Sequence, residues 1–269
     1  MNPQAKIFSD REFWLDASMV VAISVAICTV SDQLAFMSAF VPSVIFLRFI
    51  LWARLGEDYR SASLAGELVF FLICTGLGAF NDWNSVFRHE IYDYHVPHYF
   101  PTLSTIPFWM LLYWGLILRF LARLGQWQGL APLGDGRNRV RLGRQVVEKS
   151  WLKVALQLVL LMVTRQLIYR NYLDPIWSWL PFAVAILAFA LLFGFDRHDR
   201  RVVLLMSIGG PIIEILYIQL GNLHFYHHGW LGGVPVWIAL WWVLGILIWK
   251  DLSARIQAML RFQELAPIQ

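Results

Sequence analysis

Six of the seven histidines in this sequence lie in two short stretches, residues 89–98 and 224–228. Histidine is the commonest metal ligand and the side chain that titrates nearest neutral pH. One stretch contains HxxH spacing and the other reads HxxHH; on a helix, residues three or four apart share a face and can bind one ion. Both stretches are therefore candidate sites, and the candidate metal ligands are His89, His95, His98, His224, His227 and His228.

Carboxylates accompany the histidines of the first stretch. Glu90 and Asp93 lie within it, and Asp82 lies shortly before it. Mixed histidine and carboxylate ligation suits zinc or non-haem iron, which are the cofactors expected if a metal binds. Two other interpretations stay open. The imidazoles can hydrogen-bond lipid phosphates or one another at a membrane surface, or they can serve in acid–base catalysis without a metal.

Glu214 is a second candidate for chemistry because it lies inside an apolar block. It stands 13 residues after Arg201, about 20 Å along a helix. An ionisable group in hydrocarbon is costly and indicates a functional site by default. We expect Glu214 to donate a proton, with Asn222 orienting it or a substrate. A structural ion pair with Arg165, which lies at a similar depth in its own block, is the alternative.

A third acidic residue, Glu67, lies near the start of an apolar block, too far along the chain from the histidines to join them. Arg48 of the preceding block is the nearest candidate partner in the sequence. We therefore expect an ion pair between Glu67 and Arg48, with a structural role.

The elements that position these residues follow from composition. The chain is 58% hydrophobic and only 15% charged, whereas soluble domains carry about 25% charge. Its apolar residues form blocks long enough to cross a bilayer, which predicts an all-α, polytopic transmembrane bundle of about eight spans. The blocks are residues 14–31, 34–54, 63–82, 106–124, 151–169, 176–194, 202–222 and 235–252.

The distribution of positive charge predicts the orientation of the spans. If the chain has eight spans, nearly all Lys and Arg residues outside the blocks lie on the same side of the membrane as the two termini. The opposite side holds Arg88 and Arg170, and Arg165 lies close to that side. The positive-inside rule then predicts N-in and C-in, with the histidines outside. We expect a multi-pass protein of the bacterial inner membrane. The net charge of +4 is a topology signal, so no nucleic-acid partner is expected.

The sequence also suggests an internal duplication. Ile106-Pro107-Phe108-Trp109 recurs as Val234-Pro235-Val236-Trp237, and each copy follows one histidine stretch. We therefore expect two four-span halves in a 4+4 parallel repeat: residues 1–124, a basic cytoplasmic linker at 125–150, and residues 151–269. Equivalent loops that each carry three histidines suggest one shared site. The alternative is convergence, because membrane-interface sequences reuse proline and tryptophan.

The second half resembles a known family over about 35 of the 269 residues. Glu214, Gly221, Phe225 and Tyr226, followed by Gly233-Val234-Pro235 and Leu240-Trp241, are similar to polytopic carotenoid-biosynthesis membrane proteins of the carotenoid-hydratase type. The stretch 89–98 does not fit that pattern. The resemblance implies chemistry on a long isoprenoid chain inside the bilayer, with Glu214 as the candidate acid.

Together these features favour an integral membrane enzyme that acts on a lipid or isoprenoid at the outer, periplasmic membrane interface. The alternatives are a transporter or metal-handling protein with an outward-facing histidine site, and a non-catalytic scaffold subunit. Membrane lipids are the expected surroundings, and a membrane-protein partner or a homo-oligomer fits the scaffold interpretation. A transporter requires polar residues that continue to the cytoplasmic side, and the sequence offers few beyond Glu67 and Gln157.

Overall fold

The computed structural model describes residues 10–55, 62–99, 105–125, 127, 139–142, 145–148, 150–195 and 197–265. Within these residues the chain forms eight α-helices. Much of the predicted basic linker 125–150 lies outside the described residues. The helices are α1 (Asp10–Val30), α2 (Leu34–Arg54), α3 (Leu64–Trp83), α4 (Phe108–Leu124), α5 (Ser150–Asn171), α6 (Leu180–Phe193), α7 (Arg197–Gln219) and α8 (Val236–Leu265).

Each apolar block predicted from the sequence coincides with one of these helices, which confirms a predominantly helical, multi-pass membrane protein. Six helical segments are long and apolar enough to cross a bilayer. They are Arg11–Val30, Leu34–Arg54, Leu64–Arg88, Trp151–Asn171, His198–Gln219 and Val236–Leu260. The other two helices are shorter: α4 has 17 residues and α6 has 14.

Short strands interrupt the all-α pattern expected from the sequence. The four strands of the described residues are β1 (Tyr92–Tyr94), β2 (Arg139–Leu142), β3 (Gln145–Glu148) and β4 (His224–Tyr226), and they form two antiparallel pairs, β1–β4 and β2–β3. The loop residues of β1 and β4 are largely buried beside membrane-spanning helices and have little access to water. Their backbone groups therefore pair with one another, and strand pairing between two loops achieves this.

The described residues group into two compact units that do not follow chain order. The first contains the residues up to Trp127, together with Leu216–His227 and the residues from Ser253 onward. The second contains Gln128–Ile215 and His228–Leu252. The histidine stretch 224–228 is thus divided, because His228 belongs to the second unit.

The first unit is built on α1–α4, and its α3 and α4 pack closely in opposite directions. A Cβ atom added at Gly78 would lie 2.5 Å from the Cβ of Trp114, so only glycine fits at this crossing. Farther along the same pair of helices, Arg119 of α4 meets Glu67 of α3. α4 therefore runs along most of the length of α3 although it has fewer residues.

In the second unit, α5 and α6 pack with the adjoining parts of α7 and α8 around a core that includes Phe182, Ala185 and Phe189. Lys153 Nζ lies 2.5 Å from Asp251 Oδ2, and Gln157 donates to the same carboxylate. These contacts tie the start of α5 to α8 within this unit.

Candidate functional site

The two histidine stretches meet through the antiparallel pair β1–β4. Tyr92 stands opposite Tyr226, Asp93 opposite Phe225, and Tyr94 opposite His224. Two further backbone bonds extend the pairing, from the His95 N–H to the Leu223 carbonyl and from the His227 N–H to the Ile91 carbonyl. The contact between the loops expected from the duplication is therefore present for this part of the second stretch.

Strand alternation divides the side chains of the paired loops between two faces. On one face the side chains of Tyr92, Tyr94, His224 and Tyr226 are buried. Asp93 lies between the two tyrosines of β1, and Phe225 lies between His224 and Tyr226 of β4. The side chains of both are only partly buried. The paired loops therefore present a buried face and an accessible face, each with its own histidines.

On the buried face, Asp82 is the centre of a hydrogen-bonded cluster. Asp82 is fully buried one residue before the end of α3. The Tyr92 hydroxyl donates to Oδ1 of Asp82, and the Tyr94 hydroxyl donates to Oδ2 at 2.7 Å. The strand spacing of the two tyrosines places both hydroxyls on one carboxyl group, so β1 closes over the end of α3.

His224 completes this cluster. Its ring centroid lies 5.5 Å from that of Tyr92, 5.9 Å from that of Tyr94 and 5.3 Å from that of Tyr226. It is also close enough to interact electrostatically with the Asp82 carboxyl. An imidazole, a carboxyl group and three phenol groups thus share one buried compartment.

The backbone changes from α-helix to π-helix immediately after this acid. A π-helix runs over Asn84–Arg88, directly beyond the end of α3 at Trp83. A π turn inserts an extra residue into the helical repeat, and such turns occur frequently at functional sites. Here the Ile91 N–H then bonds to the Ser85 carbonyl, which leads the chain into β1 directly above Asp82.

Tyr92 keeps its proton in this surrounding. Burial, and next the negative charge of Asp82, raise the pKa of Tyr92 well above its usual value. The Tyr92 hydroxyl is therefore a donor at any physiological pH. It can stabilise negative charge on the Asp82 carboxylate by this hydrogen bond.

The accessible face holds two polar pairs separated by an aromatic ring. His227 Nε2 lies 3.2 Å from Asp93 Oδ2, and His95 Nδ1 lies 3.1 Å from Asn222 Oδ1. The Phe225 ring lies between the two imidazoles, with centroids 4.4 Å from His95 and 5.2 Å from His227. Asn222 has φ +45°, a left-handed conformation that asparagine tolerates better than most residues.

Three other candidates of the first stretch lie near its two ends. Glu90 is exposed, with φ +50°, at the turn into β1. His89 and His98 are half-buried, and His98 Nδ1 lies 3.3 Å from the Val96 carbonyl. Their arrangement fits a role in shaping the loop.

The histidines do not converge as the metal interpretation expects. Over the described residues, no group of three His, Cys, Asp or Glu side chains is placed to hold a metal ion. The strand pairing separates His224 from His227, because residues three apart in an extended chain point to opposite faces. The helical spacing argument for HxxHH therefore does not apply to this segment.

The remaining candidates lie in the second unit. Glu214 is buried in α7, and the Arg165 guanidinium of α5 stacks on the rings of Tyr169 and Trp241, each 5.0 Å away. A pair between Arg165 and Glu214 remains a prediction. His228 is exposed in this unit.

A hydroxyl cluster lies deeper in the first unit. Ser24 of α1, Tyr113 of α4 and Tyr217 of α7 form a closed triangle with oxygen separations of 2.8, 2.7 and 2.7 Å. Each hydroxyl can donate to one neighbour and accept from the other, so all three are satisfied without water.

An ionic network occupies the opposite end of the α1–α4 bundle from Asp82. Glu67 and Asp82 are 15 residues apart on α3, about 22 Å. The network contains three arginines and three carboxylates, so its formal charges balance, with one tryptophan N–H as a further donor. Its members are Glu12, Asp16, Arg48, Trp52, Glu67, Arg119 and Arg123.

Glu67 and Asp16 are the junctions of this network. Oε1 of Glu67 lies 2.7 Å from Nη2 of Arg48 in an ion pair and accepts a hydrogen bond of 2.6 Å from Nε of Arg119. Asp16 accepts from the same two arginines, each at 2.8 Å. The ion pair between Glu67 and Arg48 expected from the sequence is confirmed, within a network of four helices.

Sequence reasoning missed the tyrosines and most of the network, although both leave a pattern in the sequence. Tyr92 and Tyr94 alternate as in a strand, a signal that a helical interpretation of the stretch conceals. Glu12 and Asp16, like Arg119 and Arg123, are four residues apart and share a helix face, which marks both pairs as partners for another helix.

Comparison with known proteins does not assign the chain to a family. No protein-family model, no curated protein and no solved structure matches it. The resemblance to carotenoid-hydratase-type proteins therefore stays an expectation from the sequence pattern.

Proposed function

We propose that this protein is an integral membrane enzyme that carries out acid–base chemistry on a lipid or isoprenoid substrate at one membrane interface. The observation that carries the proposal is the buried carboxyl group of Asp82, which is bonded by the Tyr92 and Tyr94 hydroxyls and lies beside His224. In this proposal Asp82 takes the role of the acid that the sequence suggested for Glu214.

The composition of the cluster supports proton transfer. A carboxyl group and an imidazole are among the side-chain groups that serve in general acid–base catalysis, and the tyrosine hydroxyls hold the carboxyl group in one orientation. His224 is the candidate partner that takes up or supplies the proton of Asp82. On the accessible face, Asp93 orients His227 by the 3.2 Å contact and Asn222 orients His95, so both imidazoles are positioned to contact a substrate headgroup.

A lipid-soluble substrate fits the position of the cluster. Asp82 terminates a membrane-spanning helix, and the exposed side chains next to it are the aromatic rings of Trp83 and Phe87, stacked 5.9 Å apart. Aromatic side chains concentrate at the boundary between hydrocarbon and headgroups. An apolar chain that lies against the end of α3 would therefore contact aromatic surface next to the acid.

The test compares lipid extracts of an isoprenoid-producing host that expresses wild type, Asp82→Asn or the exposed-residue control Asp32→Asn. Mass spectrometry is expected to find a new product with wild type and Asp32→Asn and to find none with Asp82→Asn, at equal amounts of folded protein in the membrane. A product that survives Asp82→Asn and disappears with Glu214→Gln would return the role of the acid to Glu214 and contradict the proposal.

We also propose eight spans, with both termini in the cytoplasm and two duplicated halves. α4 supports the count because it runs antiparallel to the spanning helix α3 along most of its length. The equivalent positions of β1 and β4, each ahead of an Ile-Pro or Val-Pro helix start, support the duplication. Labelling of single cysteines introduced at Glu90 and Arg200 tests the orientation: a membrane-impermeant reagent added to intact cells should reach position 90 and not position 200.

A proton- or ion-translocating protein is the second candidate. Buried polar groups occur at three levels of the first unit: the Asp82 cluster, the hydroxyl triangle and the ionic network. These three levels provide the series of polar residues that a transporter requires between the two membrane surfaces and that the sequence did not reveal. Ile23 of α1 and Leu116 of α4 are fully buried and lie between the hydroxyl triangle and the ionic network. The passage of a proton or ion therefore requires a conformational change that admits water.

Proteoliposomes distinguish this candidate from the enzyme. A trapped pH-sensitive dye should report proton flux through wild-type protein that Asp82→Asn abolishes. Flux indistinguishable from empty liposomes would eliminate the second candidate and leave the enzyme.

A further inference from the structure

The carboxyl group of Asp82 has a third neighbour that can donate a hydrogen bond, the indole of Trp114. Trp114 belongs to α4, whereas Tyr92 and Tyr94 belong to β1. The indole N–H lies close enough to the carboxyl group to act as a donor to it. A carboxylate offers about four acceptor sites on its two oxygens, so it can accept from one indole and two phenol groups together.

Gly78 explains how the indole reaches the acid. Gly78 stands one helical turn before Asp82 on α3, so the two positions share a face of the helix. A Cβ atom added at Gly78 would lie 2.5 Å from the Cβ of Trp114 and 3.1 Å from its Cγ. Only a glycine lets the base of this side chain rest against α3. The position of the indole is therefore fixed by the crossing of two helices.

The same arrangement of a glycine, a tryptophan and an acid occurs in the second unit. A Cβ atom added at Gly210 of α7 would lie 2.4 Å from Cγ of Trp242 and 2.5 Å from its Cδ1. Glu214 follows Gly210 by one helical turn and is buried, just as Asp82 follows Gly78. An acid therefore stands twice at the same position relative to a tryptophan packed on glycine, which indicates that the tryptophan and the acid act together.

The donors around Asp82 differ in how firmly they are held. Asp82 is fully buried, so a substrate can reach its carboxyl group only if a covering segment moves. Tyr92 and Tyr94 lie on a strand of three residues between loops, whereas Trp114 lies within a helix of 17 residues. Groups carried on helices are positioned more precisely than groups on loops. Trp114 is therefore the donor that stays at the carboxyl group when β1 moves.

We propose that Trp114 is a positioning residue for Asp82, whose carboxyl group it holds through the indole N–H while β1 gives way to the substrate. This inference rests on the proposed function, in which Asp82 is the acid. Donors that are already in place and need no reorganisation during the reaction contribute strongly to catalysis. Because Trp114 acts through Asp82, loss of its N–H should lower the rate of the reaction and leave the identity of the product unchanged.

The first measurement tests the contact and needs no substrate. In the full chain, labelled with nitrogen-15 tryptophan and purified in detergent, the indole resonance of Trp114 is the one that Trp114→Phe lacks. Asp82→Asn removes the negative charge next to this N–H and should shift its resonance. The resonance of Trp52, whose indole donates to Glu12 in the ionic network, is the control and should stay in place. A Trp114 resonance that Asp82→Asn leaves unchanged overturns the proposal.

The second measurement tests the role, in lipid extracts of the isoprenoid-producing host. Trp114→Phe removes the donor, and Trp109→Phe, at a fully buried tryptophan of the same helix, is the matched control. At equal amounts of folded protein, Trp114→Phe should form product about tenfold more slowly than wild type, as expected for one lost hydrogen bond to a charged group. Trp109→Phe should match wild type.

The outcomes separate the two proposals. Equal rates for wild type and Trp114→Phe, or an equal loss with Trp109→Phe, overturn the role of Trp114 and leave Asp82 as the acid. If wild type forms no product although the Trp114 resonance follows Asp82, the proposed function is contradicted and the contact between Trp114 and Asp82 is supported.

Discussion

Tyr94 donates a hydrogen bond of 2.7 Å to Oδ2 of Asp82, and so fastens a loop strand to the end of a membrane-spanning helix. The bond is buried at both ends, because Asp82 is fully buried and Tyr94 nearly so. A carboxyl group in such a place depends on its donors, and the loss of one is costly. The conformation of the loop that carries β1 and the environment of the Asp82 carboxyl group are therefore coupled through one hydroxyl.

Replacing Tyr94 by phenylalanine should destabilise the protein. The change leaves one oxygen of a buried carboxyl group without its donor, and we expect a loss of about 1–3 kcal/mol in the free energy of unfolding. Denaturant unfolding in detergent measures it. In an Asp82→Ala background, Tyr94→Phe should lower the free energy of unfolding by markedly less, because the acceptor of its hydrogen bond is gone. Additive effects would show that the bond contributes nothing.

The raised pKa of Tyr92 predicts a loss of stability in alkali. The folded protein retains this proton above pH about 10, where the unfolded chain loses it, so the stabilisation is complete below that pH and declines as the pH rises through it. Between pH 9 and 11 the unfolding free energy of wild type should fall more steeply than that of Tyr92→Phe. The same slope for both proteins would contradict this prediction.

Glu67→Gln should be among the most damaging single substitutions in the first unit. It removes the charge that faces Arg48 and Arg119 and leaves both guanidinium groups buried with too little compensation. Breaking a buried ion pair in this way costs about 3–5 kcal/mol. The exposed control Glu90→Gln should stay within about 0.5 kcal/mol of wild type. The thermal unfolding midpoints of the two variants, compared side by side, check the prediction.

A second variant shows whether charge balance is the cause. Glu67→Leu combined with Arg119→Met keeps positive and negative charges equal in the network, so the pair should cost less than the sum of the two single changes. A cost equal to the sum would mean that packing, and not charge, explains the damage.

The division of the histidines between two faces predicts that they act separately. In His227→Ala/His228→Ala we expect the zinc and iron content of the purified protein to equal that of wild type. His227 contacts Asp93, and no three His, Cys, Asp or Glu side chains of the described residues are placed to hold a metal ion. Elemental analysis of the two proteins measures this. One or two equivalents of metal lost in the variant would restore the metal interpretation.

The sequence was sufficient to predict the helices, because membrane spans depend on composition over long blocks. It predicted much less of the site. The stretch 89–98 lies in a polar loop between two predicted spans, where no strand is expected, yet Tyr92–Tyr94 form one. Their partner strand, His224–Tyr226, lies more than 120 residues away, and local patterns carry no information about that pairing.

The ionic network shows a different limit. The sequence indicated Glu67 and Arg48 as partners because few buried charges were visible within the predicted blocks. Glu12 stands just ahead of the first predicted block, and Arg119 lies within the fourth, where long side chains at the end of a span commonly reach the interface. Only the packing of α1 against α4 shows that the side chains of Glu12 and Arg119 point into the bundle.

The register of β1 on β4 has a consequence for how this protein can change its sequence. A strand side chain alternates with a period of two, so inserting or deleting one residue between Ile91 and His95 would exchange the two faces. Tyr92 and Tyr94 would then leave Asp82, and Asp93 would enter the buried compartment in their place. A change of one residue in the length of this loop is therefore tolerated less well than a substitution of one of its histidines.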